Sequence, residues 1–188
     1  MRKKDETLQS IILDLAREMA ETTGPDSINI RAIAKKAGIA TGTVYNYFPS
    51  KDDILLALTR EYWEHALTEM RETIKSGTFY DQLEEIYTFL SKQIRQSAGM
   101  LMGSLRNVET IGREQMQSMQ QVLRAEIIQR MEEDTSIRTE VWDDTFTKEQ
   151  YAAFVIRNMT FLLQMKTKDI SFFLEIIKRT LYENVLFC

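Results

Sequence analysis

The segment RAIAKKAGIATGTVYNYFPSK, residues 31–51, determines the architecture that we expect for the N-terminal part of the chain. Asn29 is suited to N-cap a short helix that continues to about Ala37, and a second short helix covers about Thr41–Phe48. Gly38 lies between the two helices, and glycine readily adopts the left-handed conformation that such a turn requires. Two short helices joined by a tight glycine turn predict a helix-turn-helix.

The packing of these two helices requires particular residue types. Ala34 is small, which allows the second helix to cross close to the first, and an apolar set fills the space that the helices share: Ile33, Ile39, Val44 and Phe48. The outward face of the second helix then carries hydroxyls, an amide and phenols, which bind phosphates and the edges of bases. Lys51 begins the next helix, where its ammonium group and nearby backbone N–H groups suit a phosphate.

Charge is unevenly distributed along the chain, which has 188 residues and a net charge of −4. Residues 31–51 contain four cations and no carboxylate. Residues 1–51 carry a net charge of +2, whereas the remainder carries −6. Several cations are expected to add to the positive field rather than to read sequence: Arg2, Lys3, Lys4, Lys35 and Lys36. A basic head on an acidic body indicates that the head binds a polyanion, and a helix-turn-helix makes DNA the expected one.

The rest of the chain also shows helical periodicity, with apolar residues at spacings of three and four and with few glycines and prolines. Two capping-box patterns, Ser50 with Asp53 and Thr147 with Gln150, mark the starts of helices. No stretch alternates with a period of two, and no internal repeat is visible. The sequence therefore predicts an all-α fold of about nine helices, with a three-helix head at residues 1–50 and a helical body at residues 51–188.

The run GIATGTVYNYFPSKDDIL resembles the DNA-binding signature of TetR-type transcriptional regulators. The shared features are Gly, a small residue, Gly-Thr, then Tyr-x-x-Phe and a Lys that opens a long helix, and the resemblance is specific over residues 7–58. It implies a helix-turn-helix head and a body that binds ligand and dimerises. It also implies contacts to operator DNA at the matching positions: Arg31, Thr41, Gly42, Thr43, Tyr45, Asn46, Tyr47 and Lys51.

Ala40 departs from this pattern. Many relatives carry at this position a serine that caps the recognition helix, and alanine has no side-chain acceptor. The departure leaves Thr41 as the alternative cap, which would take its hydroxyl away from base contact.

The last two predicted helices, at about residues 147–166 and 169–186, are apolar over much of their surface and need to be covered. In the TetR-type family these helices form a four-helix bundle with their copies across a two-fold axis, which implies a homodimer. An intrachain core is the alternative that the residues leave open. The expected interface residues are Tyr151, Val155, Met159, Leu162, Phe173, Ile177 and Leu181.

The resemblance also implies a pocket for a small-molecule effector within the body. Helix position suggests the following lining residues: Trp63, Tyr87, Met100, Met102, Met116, Phe154, Arg157 and Asn158. Arg157 and Asn158 interrupt an apolar helix, and a buried arginine requires an anion. That anion is a ligand carboxylate or phosphate, or else a carboxylate in an intrachain or dimer-interface salt bridge.

Other kinds of site are not expected. The sequence has no Gly-rich phosphate loop and no nucleophile with a plausible base, which argues against an enzyme. His65 is the only histidine and has no His or Cys nearby, so neither a metal site nor a cofactor is expected. Cys188 is the only cysteine, and neither a signal peptide nor a membrane span is apparent, which favours a cytoplasmic protein.

Together these features predict a homodimeric transcriptional repressor that binds a near-palindromic double-stranded DNA operator and is released by a small-molecule effector. Effector binding is expected to pivot the fourth helix and change the spacing of the heads. One alternative is an effector-independent DNA-binding or scaffold protein whose body binds a protein partner. The other is an enzyme with an appended DNA-binding head, which the lack of a catalytic constellation disfavours.

Overall fold

The computed structural model describes residues 6–95 and 109–183, with side chains described over 6–95 and 121–183. The described residues form eight α-helices and no strand, which confirms the all-α prediction and comes close to its count of about nine. The helices are α1 (Glu6–Thr23), α2 (Ile30–Ala37), α3 (Thr41–Tyr47), α4 (Lys51–Thr73), α5 (Phe79–Gln93), α6 (Glu109–Glu133), α7 (Lys148–Gln164) and α8 (Ser171–Leu181). Short 3₁₀ turns occur at Pro25–Ser27 and Thr139–Val141.

The chain forms two compact units. The first, the head, takes in Met1–Ala66 with Ile94–Gln115, and the second, the body, takes in Leu67–Gln93 with Met116–Cys188. The division therefore falls within α4, because the first part of that helix packs into the core of the head. The division after residue 50 stays a prediction about functional domains.

The core of the head is formed by α1, α2, α3 and the first part of α4. Ile12, Ile33, Val44 and Ile54 come from these four helices, and each is fully buried. Burial of one such aliphatic side chain stabilises a fold by about 1.5–3 kcal/mol. The predicted helix-turn-helix core is confirmed: Ile33, Ala34, Val44 and Phe48 are buried, and Ile39 packs against them.

The turn between α2 and α3 has the predicted geometry. Gly38 has φ 68° and ψ 29°, and its N–H donates to the carbonyls of Ala34 and Lys35. The Ile39 N–H also donates to the Ala34 carbonyl, at 3.0 Å, so the last turn of α2 is closed by backbone bonds. At the other end of α2, the Asn29 carboxamide oxygen accepts from two backbone N–H groups, as an N-cap does.

Of the remaining predicted helix caps, the structure confirms two and shows that one is wrong. Thr147 and Gln150 form the predicted capping box of α7. Ser50 accepts from the Asp53 N–H at 3.2 Å and donates to its carboxylate at 2.6 Å. The alternative cap at Thr41 is wrong: Ala40 lies at the N-cap of α3 with no side-chain bond, and its carbonyl accepts from the Thr43 N–H. The Thr41 hydroxyl is therefore not used as a cap.

A cluster of polar groups around the buried Arg130 side chain joins α4, α5 and α6 within the body; Gln82 and Glu126 are also buried, Ile74 takes part through its carbonyl, and Arg71 is 47% exposed. We call it the Arg130 cluster, and it consists of Arg71, Ile74, Gln82, Glu126 and Arg130. The Arg130 guanidinium donates to the Ile74 carbonyl at 2.7 Å and to Gln82 Oε1 at 2.6 Å. It also contacts Glu126 Oε1 at 2.9 Å, and the other oxygen of Glu126 accepts from Arg71 Nε at 2.6 Å. Each buried charge of this cluster is thus paired and hydrogen-bonded.

Asp134 connects the start of α5 to the end of α8. Its Oδ2 accepts from the Phe79 N–H at 2.7 Å and from the Tyr182 hydroxyl at 2.6 Å, and the Tyr182 oxygen accepts from the Tyr80 N–H at 3.1 Å. Burial opposes ionisation of Asp134, but hydrogen bonds from Ser136, Tyr182 and the Phe79 backbone hold its pKa below the ordinary value. The carboxylate therefore caps α5 from a distant part of the chain.

The structure places most of the residues predicted for the dimer interface in the core of the single chain. Six of the seven are buried within this single chain and form its own core: Tyr151, Val155, Met159, Phe173, Ile177 and Leu181. Leu162 is half-buried. The opposite faces of α7 and α8 are exposed instead, and they carry large apolar side chains that we call the outer apolar face: Phe154, Phe161, Met165 and Phe172.

Candidate nucleic-acid interface

The second helix of the helix-turn-helix, α3, presents polar and aromatic side chains to solvent. Tyr45 is 49% exposed, and Gly42 and Asn46 are also exposed. Thr41 and Thr43 are half-buried, while Val44 faces inward and is completely buried. A helix held by a single buried stripe and exposing hydroxyl, amide and phenol groups has the form that enters a major groove.

Tyr47 and Lys51 lie at the edge of this surface. Tyr47 is half-buried and packs partly against the head core, so its ring position is fixed by the fold. The Lys51 ammonium group donates to the Asp26 carbonyl at 2.8 Å, which connects the start of α4 to the 3₁₀ turn before α2. One of its three N–H groups is used in this bond, and the others remain for a phosphate.

The cations of the head differ in their surroundings. Arg31 and Lys35 are exposed, and no ion pair among the described residues includes them. Lys36 instead pairs with Glu18 of α1 at 3.0 Å, which reduces its contribution to the positive field. Arg2, Lys3 and Lys4 lie outside the described residues. The positive charge near α3 therefore comes mainly from Arg31, Lys35 and Lys51 among the described residues.

Several contacts between residues that are far apart in the sequence stabilise the head, and the sequence alone did not predict them. Arg17 of α1 donates to Glu61 of α4 at 2.5 Å, and Lys36 and Lys51 find partners 18 and 25 residues away. No local pattern signals such pairs, since opposite charges are common throughout the chain. They hold α1, α2 and the start of α4 around the helix-turn-helix.

The predicted pocket residues are not gathered into one enclosed site by the described part of the chain. Trp63 and Tyr87 are buried, and the Tyr87 hydroxyl bonds to the carbonyls of Leu162 and Thr167 at 3.2 and 2.6 Å. Phe154 is 38% exposed and Arg157 is also exposed, and their place in an effector pocket stays a prediction.

Asn158 and the three predicted methionines complete this set. The Asn158 amide donates to the carbonyl of Phe154 in its own helix, at 2.9 Å. Met100 and Met102, and the side chain of Met116, lie outside the described residues. An open groove of about 600 Å³ on the body contains none of the predicted residues, and its lining is Thr73, Ile74, Asp81, Glu84, Glu85, Thr88 and Phe89.

The described residues contain no group of three or more His, Cys, Asp or Glu side chains arranged to hold a metal ion. Among the same residues, no helix has both the length and the apolar character that a bilayer span requires.

Comparison with known proteins identifies the head. Residues 12–58 match the profile of "Bacterial regulatory proteins, tetR family". The chain is 35% identical over 88 residues to the Fatty acid metabolism regulator protein of Bacillus subtilis, which covers 47% of this chain and 44% of that protein. It is 33% identical over 87 residues to the HTH-type transcriptional repressor KstR of Mycolicibacterium smegmatis, covering 46% and 43%. Each match spans less than half of the relative's length.

Solved structures resemble the chain along nearly its whole length. GusR of Salmonella enterica superposes with a TM-score of 0.60 at 21% identity, covering 95% of this chain and 96% of that one. RolR superposes with a TM-score of 0.61 at 18% identity, covering 92% and 90%. At these identities the likeness concerns the fold. The related proteins are named as regulators rather than enzymes. Residues 12–58 therefore carry the DNA-binding segment described by the tetR family profile, and the chain shares its helical fold with these solved structures.

Proposed function

We propose that the protein is a cytoplasmic, homodimeric transcriptional repressor that binds a near-palindromic DNA operator and is released by a small-molecule effector. The observation that carries this proposal is the exposed surface of α3, with Gly42, Tyr45 and Asn46 outward on a helix fixed by Val44. Arg31, Lys35 and Lys51 supply cations beside it for the phosphate backbone.

Within this surface the residues divide by role. Tyr45, Asn46 and Thr43 are proposed to reach base edges or the backbone in the major groove, and Gly42 allows the helix to approach closely. Thr41, Tyr47 and Lys51 flank them and are proposed to position the helix through phosphates, as Arg31 does from α2.

Dimerisation is proposed because one head makes few contacts, whereas two heads on half-sites about 34 Å apart, or a multiple of it, bind together. The outer apolar face supports this part of the proposal, since Phe172 is 79% exposed, Met165 64% and Phe161 59%. Exposed apolar patches of several hundred Å² mark interaction sites. A second copy that covers this face removes these side chains from water.

The substitution Tyr45→Ala tests the assignment of α3. We expect it to weaken binding to a duplex selected from a random-sequence library by about tenfold, the loss of roughly one good contact. The fold should persist, because half of this side chain is in solvent. Fluorescence anisotropy measures the affinity. Tyr80→Ala, which removes a phenol from the body instead, is the matched control. Unchanged affinity for Tyr45→Ala would remove α3 from the interface.

Native mass spectrometry of the purified protein tests the effector part of the proposal. We expect a dimer mass that carries a small stoichiometric adduct, which denaturation releases for identification. A dimer without any adduct that also fails to release operator DNA with cell extract would favour the alternative, an effector-independent DNA-binding or scaffold protein. The family's named members include a regulator of fatty acid metabolism, so acyl compounds are the first effectors to try.

A further inference from the structure

Arg157 is the only charged residue of α7 beyond the first turn of the helix. Its side chain is exposed, and none of the ion pairs found among the described residues includes it. The intrachain salt bridge left open by the sequence is therefore not formed within the described part of the chain. Within the described part of the chain, the Arg157 guanidinium is therefore exposed and has no carboxylate partner.

The position of Arg157 on α7 places it beside the outer apolar face. It follows Phe154 by three residues and precedes Phe161 by four, and residues at these spacings share one side of a helix. Phe161 and Met165 continue the same stripe. Any partner that covers these side chains therefore also removes water from the Arg157 guanidinium, which then requires an anion.

The second copy of the chain offers one suitable anion on the matching surface. Glu175 is the only carboxylate within α8, and it follows Phe172 by three residues, on the outward side of that helix. Its side chain is 43% exposed, and it accepts from Arg179 Nε at 2.7 Å. A carboxylate has about four lone-pair sites, so it can accept a second guanidinium beside Arg179.

The charges also distinguish between two ways of docking. If α7 lay along α7 of the second copy, each Arg157 would approach its equivalent near the two-fold axis, with no carboxylate in that part of either helix. If α7 lies along α8 of the second copy, each Arg157 meets a carboxylate, and two-fold symmetry repeats the contact. Like charges brought together in an interface repel each other, so the second arrangement is favoured.

We propose that Arg157 forms an ion pair with Glu175 of a second copy and thereby fixes how the two body units dock. This inference rests on the proposed dimer and adds the pair that selects its register. The apolar rings supply the area of the interface, and the two symmetric pairs select one orientation of it.

Charge reversal and charge exchange test the pair, with self-association measured by sedimentation velocity. We expect Arg157→Glu, and separately Glu175→Arg, to raise the dimer dissociation constant by about 30-fold or more. The double variant, Arg157→Glu with Glu175→Arg, should return it to within about threefold of the original value, since the pair is restored with exchanged signs. Lys92→Glu on α5 makes the same change of charge elsewhere on the body and should leave the constant unaltered.

A further variant separates failure of the pair from failure of the interface. Phe172→Asp places a charge within the outer apolar face and should produce monomers whether or not Arg157 forms the ion pair. If Phe172→Asp stays dimeric, the proposed interface and the pair are both overturned. If Phe172→Asp gives monomers while Arg157→Glu stays as tight as the original, or the exchange does not restore binding, the pair is overturned and the interface stands. Circular dichroism on each variant checks that the helices persist.

Discussion

The substitution Arg130→Met is expected to lower the free energy of unfolding by about 3 kcal/mol, the largest effect on stability that we expect from any single change discussed for this protein. Arg130 is 6% exposed and bonds to the Ile74 carbonyl, to Gln82 and to Glu126. Methionine fills much of the space but leaves Glu126 as a buried charge with Arg71 as its remaining partner in the cluster. The loss of Arg130 as a buried partner of Glu126, rather than lost volume, accounts for most of the cost.

A double variant separates these two causes. Replacing Glu126 with Leu together with Arg130→Met removes both buried charges, so the double change should cost less than Arg130→Met alone. Urea unfolding followed by circular dichroism measures both. Lys148→Met, which removes an exposed pair with Glu132 at 3.4 Å, is the control and should change stability by less than about 0.5 kcal/mol. Equal costs for the single and double variants would show that packing, not charge, dominates the Arg130 cluster.

The substitution Gly42→Ala is expected to raise stability and lower operator affinity at the same time. A Cβ added at Gly42 would have nothing within 4 Å, and the residue lies inside a helix, where alanine is favoured by about 0.5–1 kcal/mol. In the proposed complex, however, the added methyl lies between α3 and the DNA. Overpacking of a close contact costs about 1–3 kcal/mol, which corresponds to roughly 5- to 150-fold weaker binding.

Thermal unfolding and fluorescence anisotropy on the same preparation measure the two effects of Gly42→Ala. A rise in stability together with a fall in affinity is the informative result, because a variant that merely damaged the head would lose both. An affinity that stays constant while stability rises would show that the α3 backbone does not approach the DNA at Gly42, and would restrict the proposed interface to longer side chains.

The parts of the fold that follow from the sequence are those with local signals. The turn at Gly38, the cap at Asn29 and the capping box at Thr147 each depend on a few consecutive residues, and all three are confirmed. The buried stripe of the helix-turn-helix follows from helical spacing in the same way, because α2 and α3 are polar on one side.

The outward face of α7 was not predictable by the same means. That helix carries apolar residues nearly all round, so its periodicity does not say which side faces the core. The structure buries Tyr151, Val155 and Met159 and exposes Phe154 and Phe161, a choice made by packing with other elements of the body. The predicted interface residues of α7 therefore lie on its buried side, whereas the apolar character of the helix follows from the sequence.

Asp134 has a consequence for the order in which the helix-turn-helix core and the body can form during synthesis. The helix-turn-helix core draws on residues between Ile12 and Leu58, so it can close soon after that segment leaves the ribosome. The start of α5 depends on Asp134, 55 residues later, and on Tyr182, which lies 102 residues beyond Tyr80. Loop closure over such distances is slow. We therefore expect nascent chains to present a folded helix-turn-helix core before the body, which requires α8, has formed.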